Sequence, residues 1–432
     1  MPELPPSKPD SDDDRAISRR TLLSGAGAAA AGAVLAGVIP QFVSGQGIVA
    51  APQTPSPIAI PVDPTAVPGI ASEALSPRSP FENPALAPIG VTTGSTLTPL
   101  HELSGTITPS DLVFQRSHNG IALIDPKKHS LMIHGLVDRP RAFSVGDLKR
   151  FPAITRTYFI ECSGNGRAAF RGAKAEMTPQ MVDGMTSNCE WTGVPLKTLF
   201  KEVGAQAPAR WFLAEGGDAS KLSRSIPMEK GMDDALIAWA QNGEPLRPGN
   251  GYPIRLLLPG YEGNASIKWV RRIELGREPW MFRDETSKYT DPLLNDTARQ
   301  FSFVLDAKSI ITAPAYPSRL AAHGWWPIRG LAWTGRGKID RVDVSTDGGT
   351  SWTQAEITGP VLPFAHARFQ LMWKWDGQPA RLMSRVIDET GYVQPTLAAF
   401  IKARGIGTDY HFNYIRAWDV AADGTVTFGV GA

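Results

Sequence analysis

The chain has 432 residues, a formal net charge of +2, and 42% hydrophobic against 20% charged residues. This length allows two or three domains, and the composition is that of a globular protein rather than a disordered one. A net charge so near zero argues against a general nucleic-acid binder. The two cysteines, Cys162 and Cys189, are too few for a disulfide framework, a cysteine-rich zinc site or an iron–sulfur cluster, and no Cys-x-x-Cys-His haem attachment occurs.

The N-terminus carries an export pattern. Ser18-Arg19-Arg20-Thr21-Leu22-Leu23 is a twin-arginine motif, and residues 25–39 form a mildly apolar run of mostly Ala and Gly. That run is too short and too weakly apolar to indicate a membrane span. We therefore expect residues 1–45 to be a signal peptide that directs the folded protein to the periplasm by the twin-arginine route.

Residues 46–105 have the composition of a linker. Pro and Ala dominate residues 51–88, and Thr and Ser are frequent as far as residue 99. No hydrophobic period persists there, which indicates an extended linker or a segment that wraps over a surface.

The first folded domain, residues 106–298, mixes strand and helix patterns. Strands are predicted at Ser130–Gly135 and at residues 156–160, 211–215 and 252–258. Short helices are predicted at residues 144–150, 194–200 and 233–239, the last with acidic residues early in the segment. The mixture predicts an α+β domain.

The second folded domain, residues 299–432, contains short strand patterns separated by turns. Strands are predicted at residues 330–335, Ile339–Ser345, 371–375 and Ala380–Asp388. The turn Asp347-Gly348-Gly349, followed by Trp352, predicts a hairpin. These patterns predict an all-β immunoglobulin-like sandwich without its disulfide.

The stretch Glu161-Cys162-Ser163-Gly164-Asn165-Gly166-Arg167 follows a predicted strand and contains one of the two cysteines. Its glycines let the backbone pass close to a bulky group, and an arginine follows the thiol by five residues. A thiolate is a soft ligand for metals that accept sulfur. The stretch indicates a metal or nucleophile site, while a buried, inert thiol beside a turn remains the alternative.

Separated motifs from residue 114 onward occur in the order of a known family. They are Phe114-Gln115-Arg116-Ser117-His118, Cys162 with Gly164, Asn165 and Arg167, Trp191-Thr192-Gly193, Glu215-Gly216-Gly217-Asp218, Asn250-Gly251-Tyr252-Pro253-Ile254-Arg255, and Lys268-Trp269. By these motifs the chain resembles the sulfite oxidase family of molybdopterin enzymes from about residue 106 to its C-terminus. The resemblance implies a molybdopterin-binding domain at 106–298 and an immunoglobulin-like dimerisation domain at 299–432.

The resemblance also implies roles for individual residues. Cys162 would be the metal ligand, binding molybdenum beside the two sulfurs of one pterin dithiolene. The implied catalytic residues are Cys162, Tyr289, Arg116, Arg167 and Arg404. The implied cofactor-binding residues are Phe114, Arg116, Ser117, His118, Cys162, Asp218, Asn250, Arg255, Ser266, Ile267 and Lys268. Arg and Lys suit a phosphate, and Asp can accept hydrogen bonds from pterin N–H groups. Cys189 lies outside the motif and is expected to be a buried thiol.

The chain departs from the family pattern at four positions. Ser117 stands where the motif has Asn, Asn250 where the family has His, and Met181 where sulfite oxidases place a Trp. Gly166 replaces a common Arg and removes one positive charge beside the site. A pocket less tightly lined for free sulfite suits a bulkier, protein-borne sulfur substrate.

Within the family, the resemblance implies the molybdenum subunit of a periplasmic sulfane dehydrogenase. Such an enzyme would oxidise carrier-protein-bound sulfane sulfur by oxygen-atom transfer during thiosulfate oxidation. No haem motif is present in this chain, so the electrons are expected to pass to a c-type cytochrome. The sandwich is expected to form a homodimer, and with the cytochrome a heterotetramer. Neither a nucleic-acid partner nor a membrane span is expected.

Three alternatives stay open from the sequence. The first is a periplasmic sulfite dehydrogenase that oxidises free sulfite and reduces cytochrome c. The second is a methionine-sulfoxide reductase-like enzyme, although those enzymes resemble the molybdenum domain alone and the sandwich argues against them. The third is a secreted binding protein without enzymatic activity.

Overall fold

The computed structural model describes residues 75–89, 94–293, 295 and 297–431. The predicted signal peptide and residues 46–74 and 90–93 of the predicted linker lie outside these ranges. From Ser76 onward the chain forms one compact unit. Within the described ranges, none of the helices has the length and apolar character needed to cross a membrane.

The first half of the described chain contains two five-stranded sheets and short helices. Its strands are β1 (Ala87–Ile89), β2 (Ser95–Leu97), β3 (Ser130–Gly135), β4 (Arg141–Ser144), β5 (Ile154–Glu161), β6 (Thr186–Pro195), β7 (Trp211–Gly216), β8 (Ser223–Pro227), β9 (Leu236–Gln241), β10 (Glu244–Pro245), β11 (Arg255–Leu257) and β12 (Val270–Gly276). Its α-helices are α1 (Val145–Leu148), α2 (Arg167–Gly172), α3 (Pro179–Asp183), α4 (Leu196–Val203) and α5 (Met228–Asp233), and 3₁₀ turns lie at Ser110–Leu112 and Pro248–Asn250.

The two sheets of this half have the strand orders β4-β3-β12-β7-β8 and β10-β9-β6-β5, with β11 also paired to β9. The β3–β12 pair is parallel. Helix α4 packs on this half because Leu196, Leu199, Phe200 and Val203 recur at helical spacing and are all fully buried. The helix ends at Gly204, whose left-handed backbone suits a glycine.

The second half contains a short helix and a two-stranded sheet, followed by a sandwich. Its elements are α6 (Arg283–Thr286), β13 (Asp291–Pro292), β14 (Ala298–Arg299), β15 (Lys308–Ala313), β16 (Gly324–Trp333), β17 (Ile339–Ser345), β18 (Thr353–Gln354), β19 (Glu356–Ile357), β20 (Ala367–Trp375), β21 (Ala380–Asp388), α7 (Leu397–Arg404), β22 (Ala417–Val420) and β23 (Val426–Phe428). Sheets of order β15-β16-β20-β19 and β18-β17-β21-β22-β23 share one apolar core. The predicted α+β domain followed by an all-β sandwich is therefore confirmed.

The core of the sandwich extends into the first half. Phe159 on β5, Ala169 on α2 and Val182 on α3 belong to the same buried cluster as the sandwich residues Trp333 and Phe369. The segment that leads into Cys162 and the helices that follow it therefore pack directly on the second half.

Part of the predicted linker belongs to the folded unit. Leu100 is 1% exposed and lies in the core shared by the two halves. Thr98 is also buried, and its hydroxyl donates to the carbonyl of Leu112. Only a few residues of this segment are buried. Because they are so few, they produce no hydrophobic period in the sequence.

The helix predicted at residues 233–239 is wrong. Helix α5 ends at Asp233, and Leu236 begins β9, which pairs with both β6 and β11. Asp234 accepts from Lys230 Nζ at 2.8 Å, so the acidic residues lie at the end of one helix rather than at the start of another. The predicted strand at 252–258 is shorter in the structure, because only Arg255–Leu257 pairs with a neighbouring strand.

Candidate active site

The Cys162 loop is a tight turn between β5 and α2. The Cys162 amide donates to the carbonyl of Met185, and the Asn165 amide donates back to the carbonyl of Cys162 at 2.9 Å. Gly166 has φ of +94°, and a side chain there would collide with the Arg416 guanidinium. The glycine at 166 is therefore required by the backbone and by close packing, which is a physical reason for its departure from the family arginine.

A cavity of about 720 Å³, counting its solvent-open mouth, lies beside the Cys162 thiol. Most of the predicted site residues line it. These are Phe114, Arg116, Ser117, His118, Cys162, Asp218, Asn250, Arg255, Ser266, Ile267, Lys268 and Tyr289. The structure thus gathers residues that are up to 175 positions apart in the sequence, from Phe114 to Tyr289, around one space.

Arg255 and Lys268 form the cationic wall of the cavity. Arg255 Nη1 and Nη2 donate to the carbonyls of Asn250 and Ser266, at 3.0 and 2.9 Å. Lys268 Nζ donates to Ser117 Oγ at 2.8 Å and to the carbonyl of Gly249 at 2.9 Å. Burial lowers the pKa of Arg255 to about 10. Burial, followed by the nearby Arg255 charge, lowers the pKa of Lys268 to about 7, and Asp218 opposes that shift.

Several polar atoms of the cavity lack partners within the described chain. Arg255 Nε, Asn250 Oδ1 and Asn264 Oδ1 are buried and have no hydrogen-bond partner among the described residues. Buried polar atoms in proteins are normally hydrogen-bonded. These two acceptors and one cationic donor fit a ligand that carries both hydrogen-bonding ring groups and an anion.

Tyr289 and His118 both line the cavity and contact each other. A hydrogen bond of 2.9 Å joins Tyr289 Oη to His118 Nε2. Burial, followed by the adjacent Cys162, raises the pKa of Tyr289 well above its usual range, so its hydroxyl stays protonated. Burial and the nearby Arg116 lower the pKa of His118, which keeps the imidazole neutral at pH 7.

The backbone of Tyr289 is in the left-handed region, with φ of +53°. Its amide donates to Tyr410 Oη at 3.2 Å, and the Arg224 guanidinium lies 5.1 Å from the centre of its ring. Arg224 is itself held between the buried carboxylates of Glu262 and Glu285, at 2.9 and 3.0 Å. The fold therefore constrains both the main chain and the ring of Tyr289.

Of the three arginines that the resemblance implies to be catalytic, Arg116 lines the cavity. Arg167 does not; its guanidinium donates to the carbonyl of Asp409 and lies 5.4 Å from the centre of the Tyr410 ring. Arg404 does not either, because Asp306 and Asp291 bind its guanidinium at 2.9 and 3.4 Å. Two of these three arginines thus lie outside the cavity lining and are bound by other residues.

The Cys162 thiol is half-buried. Burial raises its pKa, while the Gly164 amide and then the charges of Arg116 and Arg167 act in the opposite direction. The net shift favours the thiol in the protein alone, and a coordinated metal would displace its proton. Cys189 is fully buried and accepts from Gln241 Nε2, as expected for a structural thiol.

The sequence motifs do not include every residue of the lining. Gly263 and Asn264 line the cavity; the Gly263 amide donates to the carbonyl of Glu161 at 2.6 Å, and Asn264 Nδ2 donates to Ser163 Oγ at 3.1 Å. A Gly-Asn pair, typical of a turn, is the signal that could have identified them. Met181, considered as a replacement for an active-site Trp, is 45% exposed on α3 and does not line the cavity.

Comparison with known proteins identifies the family. Residues 118–282 match the model of the oxidoreductase molybdopterin binding domain, and residues 299–417 match that of the Mo-co oxidoreductase dimerisation domain. The crystal structure of the sulfane dehydrogenase SoxCD from Paracoccus pantotrophus matches with 44% identity and a TM-score of 0.83. The match covers 88% of this chain and 100% of that chain. The chain belongs to the sulfite oxidase family of molybdopterin enzymes.

More distant relatives agree with this family. Mitochondrial sulfite oxidase of Mus musculus is 29% identical over 329 residues, which cover 70% of this chain and 60% of the relative. Nitrate reductase [NADH] 2 of Phaseolus vulgaris is 30% identical over 302 residues, which cover 63% of this chain and 34% of the relative. The chain thus spans about a third of the length of the nitrate reductases that it matches. The predicted enzyme class, a molybdopterin oxidoreductase, and the molybdenum–molybdopterin cofactor are confirmed.

Proposed function

We propose that this chain is the molybdenum subunit of a sulfane dehydrogenase, which oxidises sulfane sulfur bound to a carrier protein. The observation that carries the proposal is the 44% identity to a sulfane dehydrogenase across the whole of that chain, together with a cavity that brings Cys162, Arg255 and Lys268 together. By the export motif, we further propose that the enzyme works in the periplasm.

The cavity residues fit the family cofactor. Cys162 would bind the metal, and Arg255 and Lys268 would bind the phosphate, because Arg255 Nε is unpartnered within the described chain and Lys268 faces the same space. Asp218, Asn250 and Asn264 would hold the pterin ring through its N–H groups and ring nitrogens. When bound, this cofactor supplies a metal centre that accepts two electrons and exchanges an oxygen atom.

The side chains around Cys162 have separate tasks in this proposal. Arg116 places a fixed positive charge at the cavity, where the sulfur product gains negative charge. Tyr289 keeps its proton and offers a hydrogen bond, while neutral His118 orients the Tyr289 hydroxyl from 2.9 Å. These residues bind and orient the substrate, and Tyr289 with His118 can relay a proton.

The structure of the cavity favours a protein-borne sulfur over free sulfite. Free sulfite is a small anion that would be bound by several unpaired cations. Arg167 and Arg404 are instead engaged by Asp409, Asp306 and Asp291. A carrier-borne sulfane is larger and needs less positive charge at the cavity. The alternative substrate, free sulfite, is kept as the second candidate because sulfite oxidase belongs to the same family.

The electron acceptor and assembly are part of the same proposal. The sequence has no haem-attachment motif, so we propose that electrons pass to a c-type cytochrome subunit. The residues that match a dimerisation domain support a homodimer, which would form a heterotetramer with two cytochromes.

An acceptor-linked assay tests the proposal. The purified holoenzyme with its co-purified cytochrome would be supplied with free sulfite, thiosulfate or a carrier protein loaded with thiosulfate, and cytochrome reduction followed. We expect the loaded carrier to give the highest kcat/KM. Much faster turnover of free sulfite would instead support a sulfite dehydrogenase.

Molybdenum analysis separates an enzyme from a binding protein. Cys162→Ser is expected to lose its molybdenum, because a hydroxyl is a poor substitute for a thiolate ligand. Cys189→Ser is the matched control and should keep it, since Cys189 lies outside the cavity lining. Equal molybdenum in both variants would exclude Cys162 as the ligand, and no molybdenum in the matured wild-type protein would exclude the enzyme.

A further inference from the structure

A buried carboxylate connects the Cys162 loop to the sandwich. Glu161, directly before Cys162, is 2% exposed. Its Oε1 accepts from Lys308 Nζ at 2.6 Å, and its Oε2 accepts from Trp333 Nε1 at 2.7 Å. Lys308 begins β15, Trp333 ends β16, and the two are direct partners in the strand register. One cross-strand pair of the sandwich thus binds both oxygens of the carboxylate that precedes the cysteine.

Lys308 also binds the other end of the loop. Its Nζ donates to the carbonyl of Asn165 at 3.2 Å, and Asn165 Nδ2 donates to Glu161 Oε1 at 2.9 Å. Residues 161 and 165 flank Cys162, so this lysine fixes the loop on both sides of the thiol. The Met185 amide donates to Asn165 Oδ1, which orients the Asn165 amide group.

The charges of this cluster balance one another. Asp183 lies 3.3 Å from Lys308 Nζ and is bound by Arg416 at 3.1 Å. The two carboxylates and the two cations are all nearly inaccessible to solvent. A buried ion pair is weak evidence for stability, because desolvation offsets much of the attraction. Its directional hydrogen bonds nevertheless restrict where Glu161 can lie.

We propose that Lys308 and Trp333 are positioning residues for the metal ligand Cys162. The sandwich would then act on the metal as well as in dimerisation, because it orients the loop that carries the thiol. This inference rests on the proposed role of Cys162 as the ligand of molybdenum. Groups that orient a metal ligand typically contribute about 10- to 100-fold to metal affinity or activity.

A pair of tryptophan substitutions tests this role. Trp333→Phe removes the N–H that binds Glu161. Trp418→Phe is the matched control, because Trp418 is fully buried in the same core and its Nε1 has no hydrogen-bond partner within the described chain. Each substitution replaces an indole by a phenyl ring, and only Trp333→Phe breaks a contact with the Cys162 loop.

The readouts are the molybdenum content of the purified holoenzyme over time and the electron paramagnetic resonance signal of its reduced metal. We expect Trp333→Phe to lose molybdenum about tenfold faster than Trp418→Phe and to shift the resonance of the metal that it retains. A merely structural role would change the melting temperature and leave that resonance unchanged. Equal loss rates and identical resonances in the two variants would overturn the proposal.

A second set of variants decides the matter if Trp333→Phe does not fold. Lys308→Gln removes the cation and leaves the Glu161 carboxylate buried, while Glu161→Gln with Lys308→Gln replaces the ion pair by neutral groups. We expect the single variant to lose molybdenum quickly and the double variant to recover part of the retention. Absence of any difference between them would overturn the proposal. Absence of molybdenum from wild-type and Trp418→Phe protein alike would instead refute the proposed function, and this inference with it.

Discussion

Burial and the positive charge of Arg255 disfavour the protonated form of Lys268. The lysine lies beside Arg255 in a buried wall, and its pKa falls to about 7, whereas an unfolded lysine has a pKa of about 10.4. Between those two values the unfolded chain binds more protons than the folded one. The stability of the cofactor-free protein should therefore rise with pH in that range and fall as the pH drops towards 7.

We expect this effect to be visible in the unfolding of cofactor-free protein. Raising the pH from 7 to 9 should increase the Lys268 contribution to the free energy of unfolding by about 2 kcal/mol. Lys268→Met should remove that increment, and Lys338→Met, which changes an exposed lysine, should retain it. Denaturant unfolding at the two pH values measures the difference. The same pH dependence in all three proteins would contradict the assignment to Lys268.

At the residue scale, most of the residues that the motifs single out line one cavity. Arg255 and Lys268, which the motifs predict to bind the cofactor, both line the cavity. Arg167 and Arg404 do not, because they bind Asp409 and Asp306, which lie 242 and 98 positions away. No local pattern tells whether an arginine faces a cavity or a distant carboxylate.

At the scale of single elements, the Cys162 loop joins α2 through the left-handed backbone conformation of Gly166. Gly166 has a positive φ and touches Arg416, whereas Gly172 at the end of α2 has open space where a side chain would go. We therefore expect substitution by alanine to have opposite effects on stability at the two positions.

Gly166→Ala should destabilise the protein by about 1–3 kcal/mol, because it combines backbone strain with a steric clash. Gly172→Ala should be neutral or stabilise by at most about 1 kcal/mol, since alanine restricts the unfolded chain. Thermal or denaturant unfolding of both variants checks this. Equal stability of the two variants would show that the loop can rearrange around position 166.

Element prediction succeeded where a period was clear and failed where it was not. The segment Ile339–Ser345 predicts strand β17, because Val342 and Val344 alternate with polar residues and a Gly-containing turn follows. The sequence of strand β9 predicts a helix instead, because a short apolar run with acidic residues before it fits either structure. This segment forms a strand because it pairs with β6 and β11, which are formed by other segments of the chain.

For the whole molecule, the shared core makes the two halves one folding unit. Leu100 comes from a segment with linker composition, yet it packs in the cluster that holds Trp333 and Phe159. Composition and turn signals predict the domain boundaries, but they carry no information on packing across such a boundary.

Leu100→Ala should consequently lower the free energy of unfolding by about 2–5 kcal/mol, as expected for a buried leucine. Leu123→Ala is the control, because Leu123 is 85% exposed, and it should change stability by less than about 0.5 kcal/mol. Denaturant titration of both variants measures the difference. A Leu100→Ala protein as stable as the control would mean that this segment contributes little to the fold.

Tyr289 illustrates a conflict between stability and chemistry. Its left-handed backbone suits glycine or asparagine better than an aromatic residue, and such a conformation costs about 1–3 kcal/mol. Tyr410, Arg224 and His118 together hold it there. Selection for thermal stability alone would favour replacement of this tyrosine, whereas selection for a hydroxyl at the cavity retains it. If Tyr289 has the role proposed for it, stabilised variants of this enzyme are to be sought away from position 289, because a gain in stability there would come with a loss of activity.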